Sequence, residues 1–276
     1  MRSALLQLSS TDDPAENLAI TAARIDAAVT EGAGFVLTPE VTNCVSASRS
    51  RQQAVLQQEK DDITLAGLRD LAARRGIWLS IGSLALKTGA ADGRFANRSF
   101  LIGPAGDIVA RYDKIHMFDV QVSETETYRE SAGFRPGTAA VVAETPFATL
   151  GLSICYDLRF PQLYRALAHA GAEVLLVPSA FSPVTGAAHW QPLLRARAIE
   201  SGAWVLAAAQ CGTHDAVRGK QRTTYGHSMA VAPWGEILAE AGEAPEVLWV
   251  DLSREAVDKA RERVPSLTHD RDFTGP

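Results

Sequence analysis

The chain has 276 residues, 46% hydrophobic and 21% charged, a balance that supports a large core and argues against disorder. Its formal net charge of −5 argues against a nucleic-acid partner, which would require a basic stripe. The N-terminal run MRSALLQLSS is too short in apolar residues for a signal peptide, and no stretch approaches 18 unbroken apolar residues, so no membrane contact and a cytoplasmic location are expected.

No Pro/Ser-rich linker or charge block divides the sequence, so residues 1–276 are expected to form a single domain. Cys44, Cys155 and Cys211 are an odd, sparse set that reads as reduced thiols. None lies in a CxxC pair, and the six histidines form no ligand-spaced cluster with them, so no metal site is expected.

Strand-like runs alternate with amphipathic helices. SALLQLSS (3–10) reads as a buried strand. A helix follows over 14–31, with Asp13 as N-cap, Pro14 at N1, and Leu18, Ala22, Ile25 and Val29 on one face. FVLTP (35–39) is a strand, 62–75 a helix, and 77–86, 97–103 and 107–111 are strands. A second strand series begins with the one ending at Cys155. A helix over 160–170 buries Phe160, Leu163, Tyr164 and Leu167, with Gly171 at its C-terminal end. Then come a strand over 173–178, a helix over 187–201, strands over 203–209, 227–232, 236–239 and 246–251, and a helix over 253–263.

The second series repeats the first. GAGFVLTPE (32–40) sits over GAEVLLVPS (171–179), RGIWLS (75–80) over SGAWVL (201–206), and SFLIGPAGDIVA (99–110) over SMAVAPWGEILA (228–239). A sheet with helices on one face leaves its other face bare, and two copies bury those faces against each other. The predicted fold is therefore α/β, a four-layer α-β-β-α sandwich with an internal pseudo-two-fold, and a site on that axis draws on strand ends of both halves.

Three reactive side chains fall at such ends: Glu40 after FVLTP, Lys114 in RYDKIHMFD, and Cys155 between LGLSI and YDLRFP. Cys155 sits where a strand–turn–helix elbow would expose a nucleophile and favour its thiolate. A buried strand cysteine is an equal reading of that position, and a solvated glutamate and lysine are the plainer readings of the other two. His116, His189 and His227 raise a cysteine–histidine dyad as another possibility.

Together, Glu40 in LTPE, Lys114 in YDKIHMFD and Cys155 in GLSICYDLRFP resemble the Glu–Lys–Cys triad of the nitrilase superfamily of carbon–nitrogen hydrolases. The resemblance covers essentially the whole chain. PSAFSPVTGAAHW (178–190), LLRARAIE (193–200), AAAQCGTH (207–214) and YGHSMAVAPWG (225–235) resemble the branch that hydrolyses deaminated glutathione. It implies the same sandwich fold, a homodimer or higher homo-oligomer with the tail of about 264–276 at a dimer interface, and a small-molecule amide substrate. It also implies a thioester mechanism that needs neither metal nor organic cofactor. Glu40 would be the general base, Cys155 the nucleophile, and Lys114 with the Tyr156 N–H the oxyanion donors. A second glutamate of the family matches Glu130, with Glu124 and Glu126 close by. Ser179, Phe181, His189, Arg222 and His227 are the candidates for substrate contact, and an ω-amidase or a catalytically silent dimeric scaffold are the alternatives.

Overall fold

The computed structural model describes residues 1–122, 124 and 126–275. Its first half runs β1 (Arg2–Leu6), α1 (Pro14–Thr30), β2 (Phe35–Leu37), α2 (Arg49–Val55), α3 (Ile63–Arg75), β3 (Trp78–Lys87), β4 (Phe95–Ile102) and β5 (Ile108–Asp113). A connecting region holds the hairpin β6 (Asp119–Gln121) and β7 (Thr127–Arg129), then β8 (Phe134–Arg135) and β9 (Val141–Glu144). The second half contains β10 (Thr149–Leu152), α4 (Pro161–His169), β11 (Val174–Leu176), α5 (Pro183–Ser201) and β12 (Trp204–Ala207). The hairpin β13 (Cys211–Thr213) and β14 (Thr223–Tyr225) follows, then β15 (Met229–Val231), β16 (Ile237–Glu240), β17 (Val247–Asp251) and α6 (Arg254–Arg263). Among the described residues, no helix is long and apolar enough to cross a membrane.

Local chemistry sets the helix ends. The Asp13 carboxylate accepts from the N–H groups of Ala15 and Glu16, and Pro14 fills N1, where a missing N–H costs nothing. Asp62 caps α3 in the same way through Leu65, and Gly76 closes that helix at φ 64, a left-handed conformation that suits glycine. Helix α5 starts at Pro183, four residues before the expected start; Pro183 fills N1, where its missing N–H costs nothing, and Ser182 at the N-cap position makes no side-chain capping bond. Short α2 was not legible in the sequence. Among its residues only Gln52 is buried, so it has no apolar period.

The sheet orders are β17-β1-β2-β3-β4-β5, with β8 beside β4, and β9-β10-β11-β12-β15-β16. They match strand for strand. In each, the second, third and fourth strands are parallel, and the remaining pairs along the path are antiparallel. Register repeats as well: Phe35 pairs with Trp78 as Val174 pairs with Trp204. The sequence repeat is therefore a structural one. The outermost strands add a feature it did not reveal. β9, which follows the first half, completes the second sheet, and β17, which ends the second half, completes the first. Each half thus ends on the other half's sheet.

Side-chain alternation builds the layers. Ala4, Leu6, Val36, Phe100 and Ile102 pack in one core with Ile25 of α1 and Leu68 of α3. Their neighbours Leu5, Phe35, Leu37 and Leu101 face the other way, into a core shared with Leu150, Leu175 and Leu206 of the second sheet. That core continues to Leu163, Tyr164 and Leu167 of α4 and to Trp190 and Leu194 of α5. Helices, sheet, sheet and helices follow in that order.

Gly82 marks where the halves meet most closely. A Cβ there would lie 2.0 Å from the Thr38 carbonyl oxygen, 2.6 Å from that of Pro39 and 2.5 Å from Pro178 Cβ. Pro39 and Pro178 are the matched strand-end prolines of the repeat. Glycine at 82 is what lets these strand ends approach.

Candidate active site

The ends of β2, β5 and β10 bring Glu40, Lys114 and Cys155 into one cavity of about 390 Å³, with Glu130 from the turn after β7. Cys155 starts a 3-10 turn with φ 50, and its N–H donates to the Pro178 carbonyl 2.9 Å away. Val41, next to Glu40, has φ 48. Non-glycine residues held in the left-handed region cost about 1–3 kcal/mol each and cluster at functional sites. Here one such residue is Cys155 itself and the other adjoins Glu40.

Lys114 is the hub. Its Nζ donates to Glu40 Oε1 and to both carboxylate oxygens of Glu130, each at 2.9 Å. Asn97 Nδ2 donates to Glu40 Oε1 at 2.8 Å, and the Ala180 N–H donates to Glu40 Oε2 at 2.8 Å. The Phe118 N–H holds Glu130 Oε2 at 2.6 Å. Glu40, Lys114 and Cys155 are respectively 4%, 2% and 7% exposed.

Burial would raise the Glu40 carboxyl. The Lys114 charge and hydrogen bonds from Lys114, Cys155 and Asn97 nevertheless hold it below its ordinary value. Burial likewise works against the Lys114 charge, but Glu130, Glu40 and Cys155 raise it well above the usual lysine value. Burial and the Glu40 charge push the Cys155 thiol up, with Lys114 opposing. The resting group is thus a neutral thiol beside a carboxylate. The expectation that the turn would favour a thiolate is corrected: five residues of 3-10 turn do not offset desolvation and a neighbouring anion.

The other sequence candidates divide. Tyr156, Phe181 and Arg222 line the cavity. Among the described residues, the Tyr156 N–H has no backbone acceptor. Ser179, His189 and His227 do not line it. Ser179 is fully buried with its hydroxyl turned to the Val177 carbonyl, because the pseudo-symmetric equivalent of Glu40 lies in the strand-end core. His189 sits on the exposed side of α5, paired with Arg159. His227, at φ 54, stacks on Tyr225, and its carbonyl accepts from Trp190 Nε1. His116 pairs with Asp157 through Nδ1 at 2.7 Å and stacks on Phe160, which commits it away from a cysteine dyad. Glu126 bonds the Tyr128 hydroxyl, leaving Glu130 as the connecting-region carboxylate on Lys114.

The carbon–nitrogen hydrolase family model matches residues 2–262. The chain belongs to the carbon–nitrogen hydrolase family. This hydrolase is 40% identical to a deaminated glutathione amidase of Yersinia enterocolitica, over 97% of its own length and 92% of the relative's. It resembles the crystal structure of the Caenorhabditis elegans NitFhit protein at TM-score 0.89 and 35% identity, covering 98% of its own chain and 65% of that longer one. It also resembles an amidase of Nesterenkonia sp. AN1 whose active-site cysteine carries a Michael adduct of acrylamide (TM-score 0.77, 30% identity, 96% and 98% coverage).

Two contributors to the hydrolase's site were missed in the sequence. Asn97 donates to Glu40 and, at 3.4 Å, to Glu130. Its one signal was a polar residue inside the apolar strand run FANRSFLI. Asp157, fully buried, accepts from the Tyr112 hydroxyl, the Ile154 N–H and both the N–H and ring of His116. It lies two residues past the nucleophile candidate, where an acidic residue reads as an ordinary turn former.

Proposed function

We propose that the protein is an amidase that opens a small carboxylate-bearing amide through a thioester on Cys155, with deaminated glutathione as substrate and 2-oxoglutarate and cysteinylglycine as products. The observation that carries this is Lys114 Nζ shared between Glu40 and Glu130 in the cavity that Cys155 also lines. The similarity to the Yersinia amidase supports the choice of substrate.

Glu40 takes the thiol proton as Sγ attacks the carbonyl carbon. Proton transfer to Glu40 accompanies attack, because burial and the Glu40 charge oppose a free thiolate. Lys114 and the Tyr156 N–H stabilise the oxyanion, where losing one donor costs about 3–4 kcal/mol. The tetrahedral intermediate collapses, and Glu40 returns the proton to the departing amine nitrogen. A water then gives a proton to Glu40 and adds to the thioester carbonyl. Expulsion of the thiolate, which regains its proton from Glu40, frees the acid. Glu130 keeps Lys114 charged and oriented through the cycle.

In this reading residues 1–276 act as one catalytic domain in the cytoplasm, where three free thiols stay reduced. The working form is a homodimer. Exposed Ile199 of α5 lies beside Gly235, and adjacent Trp234 is also exposed, with Arg263 stacked on it at 3.6 Å. These exposed apolar side chains, with Val264 at the start of the tail, are the surface we assign to the second copy. Side-by-side kcat/KM values for deaminated glutathione and 2-oxoglutaramate test the substrate. At least tenfold preference for the first is expected, and the reverse preference makes the protein an ω-amidase.

A further inference from the structure

Six buried side-chain polar atoms among the described residues lack a hydrogen-bond partner, and three belong to residues lining the cavity: Asn97 Oδ1, Ser182 Oγ and Arg222 Nε. Leaving such an atom unpaired costs stability, so several in one cavity point to a ligand that pairs with them.

Two of the three belong to one wall. Ser182 is the N-cap of the 19-residue helix α5, a position where serine ordinarily accepts from the first helical turn. Here it makes no capping bond, although only 4% of the residue is exposed. Its hydroxyl is near that of Tyr128 without an ordinary hydrogen-bond geometry. Pro183 has no N–H, and that of Thr185, another wall residue, has no backbone acceptor among the described residues. The positive end of a long helix and an uncommitted hydroxyl therefore meet at the cavity.

Arg222 reaches the same region. Its Nη2 donates to the Ala180 carbonyl at 3.4 Å, and its Nε is the buried unpaired atom. The Ala180 N–H in turn serves Glu40 and Cys155. One residue of backbone thus separates the Arg222 guanidinium from the reacting groups. Of the other cavity cations, Lys114 is committed to two carboxylates and Arg49 to the carbonyls of Gly93 and Gly133 and the ring of Phe95, while Arg129 is exposed at the end of β7, away from the Ser182 wall.

We propose that Arg222, Ser182 and the N-terminus of α5 form a carboxylate subsite that holds the acyl half of the substrate. It takes a carboxylate a few carbon atoms from the scissile carbonyl, the position of the carboxylate in a five-carbon 2-oxo acid amide. A forked guanidinium with a hydroxyl and a helix N-terminus matches the two oxygens of that group. This deepens the amidase reading and rests on it.

The test compares 2-oxoglutaramate with neutral pentanamide in wild type, Arg222→Gln and Arg222→Lys. In Arg222→Gln the ratio of the two kcat/KM values falls roughly 10- to 100-fold, mostly through KM for the charged amide, and Arg222→Lys recovers part of it. An equal fall on both amides, or no fall, overturns the subsite. A second readout needs no turnover: iodoacetamide labelling of Cys155, followed by peptide mass. Millimolar 2-oxoglutarate slows labelling in wild type and not in Arg222→Gln, and equal protection of both overturns the subsite. If wild type hydrolyses neither deaminated glutathione nor the charged amide, the amidase reading itself fails; if it hydrolyses deaminated glutathione but 2-oxoglutarate gives no protection, the subsite alone is overturned.

Discussion

The Tyr112 hydroxyl donates to Asp157 Oδ2 at 2.7 Å, tying the strand that leads into Lys114 to the turn that presents Cys155. The same carboxylate accepts the Ile154 N–H at 2.9 Å and the His116 N–H at 3.0 Å. Asp157 is thus a positioning residue that joins the two segments carrying the reactive groups.

Asp157→Ala strands those buried donors and should lower stability by about 3–5 kcal/mol in denaturant unfolding. Asp157→Asn keeps one acceptor and should lose less. In both, kcat falls more than KM rises, because the distortion moves Lys114 relative to Cys155. A stability loss under 1 kcal/mol with normal kcat contradicts this role.

Lys114→Met leaves Glu40 and Glu130 buried without their shared cation. It should abolish turnover and cost about 3–5 kcal/mol at pH 7. The pH dependence has a definite sign. Glu40 is depressed in the folded wild type, so its contribution is present above its unfolded value near 4.5 and lost as pH falls through the folded value. Without Lys114, burial is left to favour protonation of the Glu40 carboxyl. The gap between variant and wild type should therefore narrow progressively as pH falls from about 7 through about 4.5. Unfolding curves across pH 4–8 check this, and a constant gap argues against the ion pair as its source.

Activity needs Glu40 ionised and Cys155 protonated in the free enzyme. With the first group lowered from 4.5 and the second raised from 9.0, kcat/KM should be flat from about pH 6 to pH 8.5. Labelling of Cys155 by iodoacetamide without substrate should still be rising at pH 9. An inflection near pH 6.5 in either profile would point to a histidine partner instead.

Gly82→Ala tests the junction of the two halves. Its Cβ would meet backbone oxygen at 2.0 Å and Pro178 at 2.5 Å, contacts that no side-chain rotation relieves. The expected outcome is a loss of more than about 3 kcal/mol and reduced kcat, since the displaced segment leads to Glu40. Wild-type stability in this variant would contradict the close approach.

Much of this was legible in the sequence because the chain repeats itself. Matching FVLTP to VLLVP and Trp78 to Trp204 located the parallel strands, and the structure reproduces that register. The exchange of β9 and β17 was not legible, since a strand's pairing partner is a long-range property that its residues do not encode. Helix α2 lacked an apolar period, and Asn97 and Asp157 act through partners 57 and 45 residues away. His189 and His227 show the converse. Ionisable residues near the right motifs were turned elsewhere by α5 and by the stacking on Tyr225.

The central claim is that Cys155 carries the acyl group. Acid-quenched incubations with deaminated glutathione, digested and weighed, test it directly. The account predicts a 2-oxoglutaryl mass increment on the peptide containing Cys155, absent in Cys155→Ala, which also loses turnover by a factor on the order of 10⁴ or more. Substantial hydrolysis by Cys155→Ala, or an acyl group on Cys44 or Cys211 in its place, would contradict it.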